Sequence, residues 1–152
     1  MKAKHLSLCH ALLLFTAVVS PISAEQSRTF GAYTVHYNAF TTNTLSPEMA
    51  KIYNIKRSKN RALLNVSILQ EVMGTASKPV RAKVTITATN MNAQLRQLVV
   101  RELIEAGEPG AIYYLAETTV DNGEVLTYTV NFTPAGEELM HTFTFEQEFI
   151  TE

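Results

Sequence analysis

Four cations fall within six positions, Lys56, Arg57, Lys59 and Arg61, in the stretch Asn-Ile-Lys-Arg-Ser-Lys-Asn-Arg from Asn54 to Arg61. Such a run can hold a phosphate or an anionic lipid head group through charge-assisted hydrogen bonds. It can equally be a solvated turn whose charge is met by the protein's own acids. A second candidate is aromatic. Tyr113 and Tyr114 are adjacent, and neighbours on a strand point to opposite faces, so one enters a core and the other lies outside. The outward tyrosine, beside Tyr128 or His36, would form an exposed aromatic patch of the kind that marks contacts.

Other chemistries are weaker. His36 and His141 lie far apart on separate expected strands, with no metal-like partner nearby in sequence, so no metal is expected. Asp121-Asn122-Gly123-Glu124 offers oxygen ligands but lacks the rest of a calcium loop. No Gly-x-Ser-x-Gly element positions a serine nucleophile. The acid pairs Glu137-Glu138 and Glu146 with Glu148 lack an apolar setting to raise one pKa, as acid catalysis requires. No catalytic residue and no cofactor is expected.

The elements that would carry these residues are mostly strands. Tyr33, Val35, Tyr37 and Ala39 share one face and Thr34, His36 and Asn38 the other, the period of a half-buried strand. The same alternation places Ala62, Leu64, Val66 and Ile68 inward, then Val80, Ala82, Val84, Ile86 and Ala88. Residues 94–106 show both helical and strand spacing. Flanking strands and the following Glu-Pro-Gly turn favour strand. After a strand over Ile112 to Thr119, Asp121-Asn122-Gly123 predicts a hairpin with a type I′ turn. Leu126, Tyr128, Val130 and Phe132 then share a face, as do Leu139, His141, Phe143, Phe145, Gln147 and Phe149 in a last strand. One short helix interrupts the pattern, with Ser46 as N-cap, Pro47 at its first position and Glu48 at its positive end. About seven strands with little helix predict an all-β antiparallel sandwich.

The first 24 residues are set aside from this domain. Lys2 and Lys4, the apolar run from Leu6 to Val19 and the segment Ser20 to Ala24 form the grammar of a secretory signal cleaved after Ala24. The run is too short to span a bilayer, so no transmembrane segment is expected after cleavage. Cys9 is the only cysteine. A single domain of residues 25–152 without thiols, exported to an oxidising compartment, fits a bacterial periplasm.

Charge is segregated. Of the 13 Lys and Arg, all but Lys2 and Lys4 lie between Arg28 and Arg101, whereas 11 of the 14 acids lie from Glu102 onward. Residues 102–152 contain no Lys or Arg. Since apolar residues recur through both parts, late strands are expected to lie beside early ones and bring opposite charges together. A net-acidic exported domain makes nucleic acid an improbable partner.

Several motifs carry a family resemblance. They are Phe-Gly-x-Tyr-Thr-Val-His-Tyr-Asn-Ala-Phe (30–40), Leu-Ser-Pro-Glu-Met-Ala-x-x-Tyr-Asn-Ile-x-Arg-Ser (45–58) and Leu-Leu-Asn-Val-Ser-Ile (63–68). Arg-Glu-Leu-Ile-Glu (101–105), Ala-Ile-Tyr-Tyr-Leu (111–115) and Gln-Glu-Phe (147–149) complete the set. The combination resembles the bacterial DUF4426 family of small exported proteins. The resemblance implies an immunoglobulin-like sandwich and an envelope setting, and it brings no catalytic residues. The expectation is a non-catalytic binding or assembly module with a protein partner in the envelope. The alternative is a small-ligand or anionic-lipid binder using the basic segment 51–61. The sequence leaves the oligomeric state open.

Overall fold

The computed structural model describes residues 26–107 and 110–152. The expected leader, residues 1–24, and its cleavage point lie outside the described residues. In chain order the elements are β1 (Gln26–Phe30), β2 (Tyr33–Thr41), a 3-10 turn (Thr42–Thr44), α1 (Pro47–Ile52), β3 (Arg61–Gln70), β4 (Lys78–Pro79), β5 (Ala82–Asn90), β6 (Leu95–Leu98), β7 (Val100–Glu105), β8 (Ala111–Thr119), β9 (Glu124–Pro134) and β10 (His141–Phe149). They form two antiparallel sheets. The larger has the order β1-β2-β3-β8-β7, with β4 also on β3, and the smaller has the order β10-β9-β5-β6. The sandwich is as expected, but the described residues form ten strands where alternation indicated about seven. Two of the three extra ones are too polar or too short to show a period, since β1 is exposed over most of its length and β4 has two residues; the third comes from the division of segment 94–106.

The two inner faces make the core. Tyr33, Val35, Tyr37 and Ala39 of β2 and Leu64, Val66 and Ile68 of β3 pack with Ile86, Leu126, Tyr128, Val130, Phe132, Phe143, Phe145 and Phe149 of the smaller sheet. Aromatic rings join the layers. Tyr37 lies 4.9 Å from Phe143 and 4.6 Å from Phe145, and Phe30 meets Phe132 edge-on at 5.2 Å. Rings of this size bury large apolar areas and favour such offset geometries. Leu139, expected on this face, instead lies before β10 and is exposed.

The ambiguous segment 94–106 is two strands in different sheets. Leu98 faces the core from β6, Val99 is 86% exposed at the joint, and Val100 faces the core again from β7. Its mixed spacing arises because the chain changes layers while inward-outward alternation continues. Asp121-Asn122-Gly123 is a correction of a different kind. It joins β8 to β9, which lie in different sheets, so it closes no hairpin. Only Gly123 has a positive φ, +71°, whereas type I′ requires two. The turn closes by Glu124 N donating to Asp121 O at 3.1 Å, and Asn122 Oδ1 accepts from Thr151 N at 2.8 Å. The turn therefore pins the end of the chain.

Charge segregation is realised across strands. Arg61 meets Glu117 at 3.3 Å, Arg96 meets Glu124 at 2.5 Å, Arg101 reaches Glu117 at 3.9 Å, and Arg81 pairs with Glu102. Each pair joins a cation from the first part of the domain to an acid from the last. Such partly exposed pairs contribute little individually, ~0–1 kcal/mol.

Two core tyrosines give a stability test. Tyr114 Oη accepts from Ala82 N at 2.6 Å and donates to Glu102 Oε2 at 3.2 Å. Tyr128 Oη is buried and finds no hydrogen-bond partner among the described residues. Burial pushes its pKa up. Tyr114→Phe should therefore destabilise by ~1–3 kcal/mol, while Tyr128→Phe should leave stability unchanged or raise it by up to ~1 kcal/mol. Urea denaturation midpoints of the two variants against the parent check the contrast.

Candidate ligand-binding face on the larger sheet

Central strands β3 and β8 carry apolar residues on both faces. Leu63 and Leu115 point away from the sandwich core yet are only 3% and 6% exposed. With Ile55 they form a second cluster, flanked by Phe40, Leu45, Tyr53, Leu103 and Tyr113. Covering two such leucines contributes ~1.5–3 kcal/mol each, and the connection from β2 to β3 does the covering.

That connection is held by local chemistry. Thr42 is buried, and its Oγ1 accepts from Ser58 N at 2.9 Å and lies 2.9 Å from Lys56 O and 3.1 Å from Ser58 O. The hydroxyl joins the two ends of the excursion. Ser46 Oγ caps α1 by accepting from Met49 N at 3.2 Å. The helix ends with Asn54 in the left-handed region at φ +52°, where Asn54 N donates to Lys51 O at 3.2 Å and Ile55 N to Ala50 O at 2.8 Å. These are the two bonds of a Schellman motif. They turn Ile55 down onto the sheet and leave the helix as a lid.

The lid does not fill the space beneath it. A hollow of about 240 Å³ remains between Leu45, Met49 and Tyr53 above and Phe40, Leu63, Leu103, Tyr113 and Leu115 below. Asn65 completes the wall, and its Oδ1 is buried without a hydrogen-bond partner among the described residues. Tyr53 ties the lid to the sheet edge: its hydroxyl donates to Glu105 Oε1, and Arg101 Nη1 donates to its carbonyl at 2.7 Å. Beyond Asn65 and Tyr113 the face opens into a polar trough of about 270 Å³ with His36, Asn38 and Ser67. His36 and Tyr113 share this trough, and no glutamate lines it among the described residues.

The residues singled out from sequence are dispersed. Arg61 is paired with Glu117, and Arg57 Nη2 donates to Asn43 O at 2.8 Å, which leaves Lys56 and Lys59 exposed. None of these four lines the hollow; from the basic segment 51–61, Tyr53 does. Tyr113 lies outward as one of the pair must, while Tyr114 and Tyr128 are core residues of different sheets. Tyr113, Tyr114 and Tyr128 therefore make no common patch, because inward alternation takes two of them into the sandwich. His141 lies on the other sheet from His36, stacked 5.0 Å from Phe132. Among the described residues no three metal-ligating side chains cluster. The lining missed in the sequence is Phe40, Leu45, Met49, Leu63, Asn65, Leu103 and Leu115. The signal for Leu63 and Leu115 was present: Ala62-Leu63-Leu64 and Leu115-Ala116 break the polar half of the alternation.

The sequence of residues 27–152 matches DUF4426, a domain of unknown function. The chain belongs to the DUF4426 family. It is similar to the crystal structure of a DUF4426 family protein from Pseudomonas aeruginosa PAO1, with 34% identity, a TM-score of 0.69, and coverage of 83% of this chain and 94% of that one. It also shares its fold with FetP of uropathogenic E. coli strain F11, a protein expressed recombinantly in the E. coli periplasm. There identity is 11%, the TM-score is 0.57, and coverage is 84% of this chain and 94% of FetP. No curated protein matches the sequence. All nine residues lining the hollow fall within the motifs that carry the DUF4426 resemblance.

The Tyr53 latch is open to titration. The hydrogen bond to Glu105 first, and burial second, push the Tyr53 hydroxyl from its ordinary value near 10 up to about 12. The folded state thus holds a proton that the unfolded state releases earlier. This contribution is present below pH ~10 and is lost as pH rises through ~12. In an ultraviolet titration of tyrosinate, Glu105→Ala should lower the titration point of one tyrosine toward its ordinary value, and Tyr53→Phe should remove that step.

Proposed function

We propose that this chain is an exported, non-catalytic binding module of the bacterial envelope and that its contact surface is the outer face of the larger sheet beneath α1. The observation that carries the reading is the hollow itself: an apolar space, capped by a pinned helix, with one buried acceptor on its wall. Ligand sites are typically concave and mostly apolar, with a few placed polar groups. Export is supported by the leader grammar of residues 1–24. No helix among the described residues is long and apolar enough to cross a membrane. Within the basic segment 51–61 this reading assigns contact to Tyr53, and it gives Arg57 and Arg61 the task of holding the fold.

Native mass spectrometry of the chain purified gently from the envelope fraction tests the reading. The expected result is a bound adduct, or saturable uptake of a neutral apolar fluorophore, that Leu115→Trp abolishes by filling the hollow while the fold is retained. An adduct-free protein that takes up no probe would overturn it, as would a hydrolytic activity lost in His36→Ala.

A further inference from the structure

Resting on the reading of this face as a binding site, we infer that its ligand is a neutral amphiphile: a short alkyl or acyl chain for the hollow, attached to a polar group that carries a hydroxyl or amide N–H donor. Size gives the first constraint. The hollow, about 240 Å³, lies below the ~300–1,000 Å³ usual for a small-molecule site. The adjoining trough of about 270 Å³ shares Asn65 and Tyr113 with it, and the two together reach that range. A ligand occupying both has an apolar end under α1 and a polar end over the open sheet.

The boundary atom sets the chemistry of the polar group. Asn65 lines both spaces, and its Oδ1 is buried with no hydrogen-bond partner among the described residues. Buried acceptors are nearly always matched, and an unmatched one is costly. A plain hydrocarbon would leave it unmatched. A carboxylate or phosphate would bring lone pairs against it.

Charge is the third constraint. The ionic groups bordering the hollow are committed to each other: Glu105 accepts from Tyr53, Arg101 holds the Tyr53 carbonyl and Glu117, and Arg61 holds Glu117. At the hollow an anionic head would have to break a pair to find a cation, and His36 in the trough, the titratable group facing the polar end, already has a partner of its own. A hydroxyl or amide N–H needs only Asn65.

The test is displacement of the neutral dye N-phenylnaphthylamine from the chain 25–152 by compounds of equal chain length: decanol, decanamide, decyl methyl ether and decanoate. Decanol and decanamide should bind about tenfold more tightly than the ether, as one matched buried hydrogen bond allows, with decanoate no better than the ether. Asn65→Leu should abolish the preference while retaining the ether. Equal binding of alcohol and ether, tightest binding of decanoate, or a preference that survives in Asn65→Leu would overturn the inference and leave the hollow as a site. Failure of the dye and all four compounds would overturn the underlying reading and this inference with it. The ranking on the unaltered chain stands even if Asn65→Leu does not fold.

Discussion

The double-sided apolarity of β3 and β8 is the constraint on which the larger sheet depends. Ala62, Leu64 and Val66 are committed to the sandwich core, so Leu63 and Leu115 must be covered from the opposite side or face water. The excursion between β2 and β3 is the device that covers them. Its anchors are polar and local: the Thr42 hydroxyl, the Ser46 cap, and the left-handed Asn54 that sends Ile55 back onto the sheet. These anchors fix the lid at its ends, and the hollow lies beneath it.

The smaller sheet makes a useful contrast. Its outer face carries Thr87, Thr129 and Thr144 in one cross-strand row and Thr85, Asn131 and Thr142 in the next, and its one large exposed aliphatic among the described strand residues, Leu95, stands on the edge strand β6. β-branched hydroxyl residues suit such a half-buried pleated surface. The deeper apolar cover on the larger sheet is what our proposal rests on in placing contact there. Charge segregation along the chain serves the fold: early arginines close onto late glutamates at Glu102, Glu117 and Glu124. Of the basic segment 51–61, Arg61 takes part in this pairing, while Lys56 and Lys59 stay exposed.

Much of the architecture was legible from alternation. The inner faces of β2, β3, β5 and β9, the α1 cap and the meeting of opposite charges all follow from residue type and spacing. What escaped was information that spacing does not hold. A strand that changes sheets at Val99 keeps its period, so the sequence shows one ambiguous segment where the fold has two strands. Asn122-Gly123 carries a hairpin signature, but which sheet the next strand joins is decided by distant packing. The hollow was half visible. Leu63 and Leu115 sit at positions where a half-buried strand should be polar, and that breach of pattern marks a third layer. The cations at 56–61 stand out by charge, yet the residue of segment 51–61 that lines the hollow is Tyr53.

The central claim is that the outer face of the larger sheet beneath α1 is where this protein binds. Methyl-detected NMR of the chain 25–152, titrated with a neutral ten-carbon alcohol, tests it most directly. The account predicts saturable shifts at the methyls of Leu45, Leu63, Leu103 and Leu115. Shifts centred on the threonine rows of the smaller sheet, with those leucines unmoved, would contradict it.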